Sequence, residues 1–204
     1  MKQKIPCYCD NTFSVEVPAE IDLDIQKEYI DKILDGSFMT FFCTNCGKKH
    51  KPEFPVTILW PSKKARLEVL PELERGEFYR RKKDRDSKET VIGYPELSDR
   101  IAVYRDGLEP AVIEALKYYL YLKAEETAPD ADPGVWYQRQ GPEGLEFHIH
   151  GLKRDEIAVT ILPLNLYEKT LRDYTAHPTG ELFASLRHHS YLSVQNMRRP
   201  EALK

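Results

Sequence analysis

Cys43-Thr44-Asn45-Cys46-Gly47, set beside Cys7-Tyr8-Cys9, decides how this chain is read. These are its 4 cysteines, and they fall into two close pairs. A two-residue gap lets both sulfurs of one turn face one ion. Gly47 permits the left-handed backbone that such a turn requires. Backbone N–H groups of the turn can donate to the sulfurs and stabilise thiolates. The one-residue gap of Cys7-Tyr8-Cys9 places both side chains on one face of an extended strand, and a bent backbone can also aim them at a common centre. Zinc takes thiolates in a tetrahedron. Structural sites close the shell with four ligands, whereas catalytic sites keep one position open for water. The expected site is therefore a structural Zn2+ held by Cys7, Cys9, Cys43 and Cys46, with Asp10 as a spare ligand. Four free thiols are the plainer alternative, but two close pairs with no further cysteine are an improbable scatter.

Working outward, Thr12 to Val17 alternates apolar and polar residues as a strand does, and Pro18 ends it. Asp22 or Asp24 is placed to cap a helix from Ile25 to Leu34, which Gly36 stops. Ser37 to Phe42 reads as a strand entering Cys43. His50 to Trp60 reads as a longer strand, irregular at Pro52 and Pro55, and Ala65 to Leu70 as another. Phe38, Phe41 and Phe42 are expected to fill a small core that depends on metal because of its size. Residues 71–90 are charge-rich and read as a connector. Beyond them, helices are expected over Pro95–Tyr104, Pro110–Lys123, Leu164–Tyr174 and Glu181–His188. Strands are expected over Val135–Gln138, Leu145–His150, Ile157–Leu162 and Tyr191–Val194. The second helix is apolar on most faces and so should be well buried. The fold class is α+β. A zinc-ribbon-like module (residues 1–70) has a helical insertion between its cysteine turns. A charged connector (71–90) leads to a C-terminal domain (91–204) that packs helices on an antiparallel sheet.

The 204 residues are 41% hydrophobic and 31% charged, which is ordinary for a soluble globular chain. Net charge is −3, and by count residues 1–60 carry −2, residues 61–90 carry +3 and residues 91–204 carry −4. Nucleic-acid binders usually show a basic domain, which the whole chain lacks. Met1 to Cys7 has no apolar h-region, and no stretch approaches the ~18 apolar residues of a membrane span. A cytoplasmic location without membrane insertion is expected, and a reducing cytosol favours metal over disulfides.

The two cysteine pairs embrace a helix, and the chain continues VIGYPELSDRIAVYRDGLEPAVIEALKYYL and GLEFHIHGLKRDEIAVTILPLNLYEKT. On these features it resembles the CpXC-domain proteins of bacteria, named for two Cys-Pro-x-Cys motifs and described as having no known function. The resemblance implies a metal-binding N-terminal module over about residues 4–70, with a companion C-terminal region. It carries only onto Cys7, Cys9, Cys43 and Cys46. Two departures stand out: Thr44 occupies the place of the second motif's Pro, and the first pair is one residue short, with Pro6 before it.

His148 and His150 share one strand face and could bind metal or move protons, though the polar face of a half-buried strand explains them as well. No P-loop, nucleophile elbow or Gly-x-Gly-x-x-Gly cradle is present, so no enzyme is expected. The expected role is a non-enzymatic zinc protein acting through a protein partner. Two alternatives come from other classes. Thiolates release zinc on oxidation, which allows a redox-switched site. Lys48, Lys49, Lys51 and the run at 80–88 allow a nucleic-acid-binding ribbon, which is less favoured because Asp84 and Asp86 interrupt that run.

Overall fold

The computed structural model describes residues 1–81 and 89–198. These form two compact units, 1–81 with 89–98 and 99–198. Both mix helix and sheet, so the protein is α+β.

The first unit opens with a hairpin. β1 (Lys2–Pro6) pairs antiparallel with β2 (Thr12–Glu16), from Lys2↔Glu16 to Pro6↔Thr12. β3 (Glu20–Asp22) follows, then α1 (Glu28–Leu34). α1 is shorter than its periodicity predicts, and neither expected Asp caps it. The carboxylate of Asp24 accepts hydrogen bonds from Ser62 N and Oγ at 2.7 and 2.6 Å, and Asp22 Oδ1 accepts from Asp24 N. Ile25 is consequently 80% exposed rather than part of a helical face.

A second, shorter hairpin pairs β4 (Phe41–Phe42) with β5 (Lys49–His50). The expected strand over His50–Trp60 is thus two strands, because Pro52 and Pro55 cannot donate to a ladder. The second of them is β6 (Val56–Trp60). β6 pairs antiparallel with β7 (Ala65–Leu70) and parallel with β3. β7 also pairs parallel with β8 (Glu89–Ile92), which gives the mixed order β8-β7-β6-β3. Alternation is visible in β6 and β7, where Val56, Ile58, Trp60, Ala65, Leu67 and Val69 are all buried. Within 71–90 the described residues are 71–81 and 89–90. They contain a 3-10 turn, α2 (Arg75–Arg80) and the start of β8. The part of the basic run at 82–88 lies outside the described residues.

α3 (Tyr94–Arg105) starts in the first unit and ends in the second. Its first residue ties the first unit together. Tyr94 OH accepts from Phe54 N and donates to Phe54 O, and Tyr94 N donates to Glu53 Oε1. The Phe38 ring meets Tyr94 edge-on at 4.9 Å.

The second unit is built on α4 (Pro110–Thr127), which has Pro at its first turn and a Glu109 carboxylate accepting from Ala111 N. An antiparallel sheet of β9 (Gly134–Gly141), β10 (Gly144–His150) and β11 (Ile157–Leu162) follows in the order β11-β10-β9. Its inner face buries Val135, Tyr137, Leu145, Phe147, Ile149 and Leu162. α5 (Leu164–Ala176), α6 (Glu181–Ser185) and a small hairpin of β12 (Arg187–His188) with β13 (Tyr191–Leu192) complete the unit. α6 is shorter than expected because residues 187–188 turn into that hairpin.

Four charges are buried among these elements: Asp99, Arg100, Glu114 and Lys117. Lys117 Nζ lies 2.9 Å from both Asp99 Oδ2 and Glu114 Oε1. Arg100 reaches Glu114 Oε1 at 3.3 Å and donates to Leu192 O. The remaining carboxylate oxygens accept from Tyr137 N and Val194 N. The charges sum to zero and every carboxylate oxygen has a partner, which is the condition for keeping ions in a low-dielectric interior.

Candidate metal centre

Each cysteine pair sits at the tip of one hairpin. Between β1 and β2, Cys7 N donates to Asn11 O at 2.8 Å and Asp10 N donates to Cys7 O at 3.0 Å. Asp10 has φ 62. This is a three-residue loop, a turn followed by one left-handed residue, a conformation Asp tolerates better than most. Cys7 and Cys9 therefore meet through a turn rather than along one strand face. Between β4 and β5, Cys43 N donates to Lys48 O and Gly47 N to Cys43 O, both at 2.9 Å. Gly47 takes φ 72, as its place after Cys46 predicts.

The two tips face each other. All four Sγ atoms lie within 4.8 Å of one another. Cys7 Sγ is 3.6 Å from Cys46 Sγ, and Cys9 Sγ is 3.7 Å from Cys43 Sγ. Both spacings exceed the ~2.05 Å of a disulfide. Among the described residues this is the one group of three or more Cys, His, Asp or Glu side chains gathered closely enough to hold a metal ion. Asp10 is not in it.

A layer of donors surrounds the sulfurs. Asn45 N and Asn11 Nδ2 approach Cys43 Sγ at 3.4 and 3.6 Å, and Asn45 Nδ2 approaches Cys9 Sγ at 3.6 Å. Each asparagine thus serves a sulfur of the opposite hairpin. His50 Nε2 lies 3.2 Å from Cys7 Sγ. Beneath the site Ile5, Phe13, Cys7 and Cys43 form a buried cluster, with Phe41 and Phe54 packed against it. Phe42 was expected in this core but is 61% exposed, because alternation in a two-residue strand turns it away from Phe41. Phe38 lies with Tyr29 and Tyr94 instead.

The donors divide the thiols electrostatically. The backbone N–H of Cys46, aided by Asn11 and Asn45, holds Cys43 down to about 6 against the effect of burial. The backbone N–H of Asn11 and the Asn45 amide lower Cys9. Cys7 receives the N–H of Cys9, but burial and the adjoining sulfurs outweigh it and push the thiol up to about 12. Without a cation, four thiolates crowded this closely repel one another. A divalent cation removes that conflict. The site could hold such an ion.

His148 and His150 do not join a comparable group. His148 Nε2 is 3.0 Å from Glu146 Oε1, and Arg139 Nε holds the other carboxylate oxygen at 2.8 Å. They lie on the outer face of β10, opposite buried Phe147 and Ile149. His50, which spacing did not single out, is the residue missed at the metal centre. Its position four residues after Cys46, across a tight hairpin, was the available signal.

A family model described as "CpXC protein" matches residues 5–117, just over half of the chain. The match runs beyond residue 70 and into α4. A curated relative from Treponema pallidum (strain Nichols), described as "Uncharacterized protein", is 27% identical over 215 aligned residues, covering 95% of this chain and 97% of its own length. No solved structure matches the chain. Among the described residues no helix is long and apolar enough to cross a membrane.

Proposed function

The chain belongs to the CpXC family, and from that premise we propose that Cys7, Cys9, Cys43 and Cys46 hold one structural Zn2+ in a non-enzymatic protein of the bacterial cytoplasm that acts through contact with a protein partner. The observation that carries this reading is the sulfur geometry. A tetrahedron with Zn–S arms of about 2.3 Å has S–S edges of about 3.8 Å, close to the 3.6 and 3.7 Å measured here. Four thiolates also suit zinc better than magnesium or calcium, which prefer oxygen. Four protein ligands fill the shell and leave no position for a reacting water, which supports a structural rather than a catalytic ion.

In this reading the ion joins two hairpins that are individually too small to be stable. Binding free energy then appears as folding free energy. Elemental analysis of the purified chain should find one zinc per chain. Chelation, followed by circular dichroism and melting, should then lower the stability of the first unit. Unchanged structure and melting after proven metal removal would defeat the proposal. Capture of a specific protein by the zinc-loaded chain, lost on chelation, would support the partner role.

A further inference from the structure

Resting on the zinc reading above, we propose that Cys46 is the site at which a hydroperoxide modifies the centre, and that Cys7 completes the reaction as a disulfide between the two hairpins. Two independent asymmetries single out Cys46. Cys7 and Cys43 are buried and Cys9 is half-buried, whereas Cys46 is exposed. The other three sulfurs each have a nitrogen within 3.6 Å: His50 Nε2 at Cys7, Asn45 Nδ2 at Cys9, and both Asn45 N and Asn11 Nδ2 at Cys43. Among the described residues no nitrogen makes such a contact with Cys46 Sγ, whose neighbour is the Cys7 sulfur. A hydrogen bond withdraws electron density from a thiolate, and burial shields it, so the exposed sulfur without a donor is the strongest accessible nucleophile.

The partner follows from distance. Cys7 Sγ is 3.6 Å away, on the opposite hairpin. Cys43, in the same turn as Cys46, already accepts from Asn45 N and Asn11 Nδ2 and is a poorer nucleophile. In the first step Cys46 Sγ attacks a peroxide oxygen, the O–O bond breaks, hydroxide leaves and the sulfur becomes a sulfenic acid. In the second, Cys7 Sγ attacks that sulfur, the S–O bond breaks and a second hydroxide leaves as the S–S bond forms. Two thiolates lose two electrons in total, and one peroxide is reduced to two hydroxides. Cys9 and Cys43 remain as two thiolates, too few to retain a structural ion.

The test uses the full chain with its zinc content measured first. Hydrogen peroxide is added below one equivalent, released zinc is read with a chromogenic chelator, and disulfides are mapped by mass spectrometry of alkylated peptides. The expected result is one zinc released per disulfide, with Cys7–Cys46 as the main first product. Cys46→Ser should slow release by at least about tenfold. If that variant does not fold, the wild-type disulfide map decides alone. A first disulfide joining Cys43–Cys46 or Cys9–Cys43, or zinc retained with all thiols reduced, overturns the proposal. A chain purified without metal removes the zinc reading itself, and this inference with it.

Discussion

His50 Nε2 lies 3.2 Å from Cys7 Sγ, across the gap between the β4–β5 and β1–β2 hairpins. The imidazole also stands 5.6 Å from the Phe13 ring, within the cluster under the site. With zinc bound and Cys7 a thiolate, the sulfur can only accept, so the imidazole N–H would donate to it and act on the proposed ion through Cys7. His50→Ala is expected to weaken zinc binding by about 10–100-fold, as loss of such an outer partner typically does. Competition against a chelator of known affinity measures this. An unchanged affinity would make the contact incidental.

Lys117 balances two buried carboxylates, Asp99 and Glu114. Lys117→Met keeps the volume but leaves both acids uncompensated. Removing one partner of a buried ion pair costs about 3–5 kcal/mol. Urea unfolding followed by circular dichroism should show the midpoint falling by that equivalent with an unchanged slope. A loss below about 1 kcal/mol would show that water or a shifted proton replaces the ammonium.

Asp106 gives a pH signature in the second unit. Burial opposes its charge, but Arg105, Tyr137 OH and Gln140 N hold the carboxylate below its ordinary 3.8. The folded state therefore binds this proton less readily than the unfolded chain. The stabilisation is complete above pH 3.8 and is lost as pH falls through the lower folded value. Asp106→Asn should flatten the acid limb of the stability curve in that window. An unaltered limb would assign the acid transition to other groups.

Gly47 and Gly144 both have positive φ, but their surroundings differ. Nothing lies within 4 Å of a Cβ built on Gly47, so Gly47→Ala should cost only left-handed strain, about 1–2 kcal/mol. A Cβ on Gly144 would collide with the Leu162 carbonyl, so Gly144→Ala must also displace β10 from β11. Thermal melting should rank Gly144→Ala as clearly the more damaging. Equal losses would contradict the packing at Leu162.

The gathering of the four cysteines was legible because two close pairs with no further cysteine leave few other arrangements. α4 and the strands β9 to β11 were legible because their apolar periods are regular. What stayed hidden depends on distant partners. α1 begins late because Ser62 engages Asp24 from 38 residues away. β3 and β8 are placed by parallel pairing, which leaves no local turn signal. The reading of α4 as buried on most faces already implied that Glu114 and Lys117 had to be buried too. A buried charge requires an opposite charge, but nothing local named Asp99 and Arg100 as the partners. At the cysteine cluster, the short Cys7–Cys9 gap looked like a defect only until the left-handed Asp10 turned the loop.

Asn11 and Asn45 each complete the environment of a sulfur on the facing hairpin. Neither half therefore owns a finished binding surface. A synthetic peptide spanning either pair alone should bind metal weakly, and mixing the two halves should give a steep, all-or-none titration. On the proposed zinc reading, ligation would be a cooperative event, in which capture of the ion and recognition of one hairpin by the other are the same step.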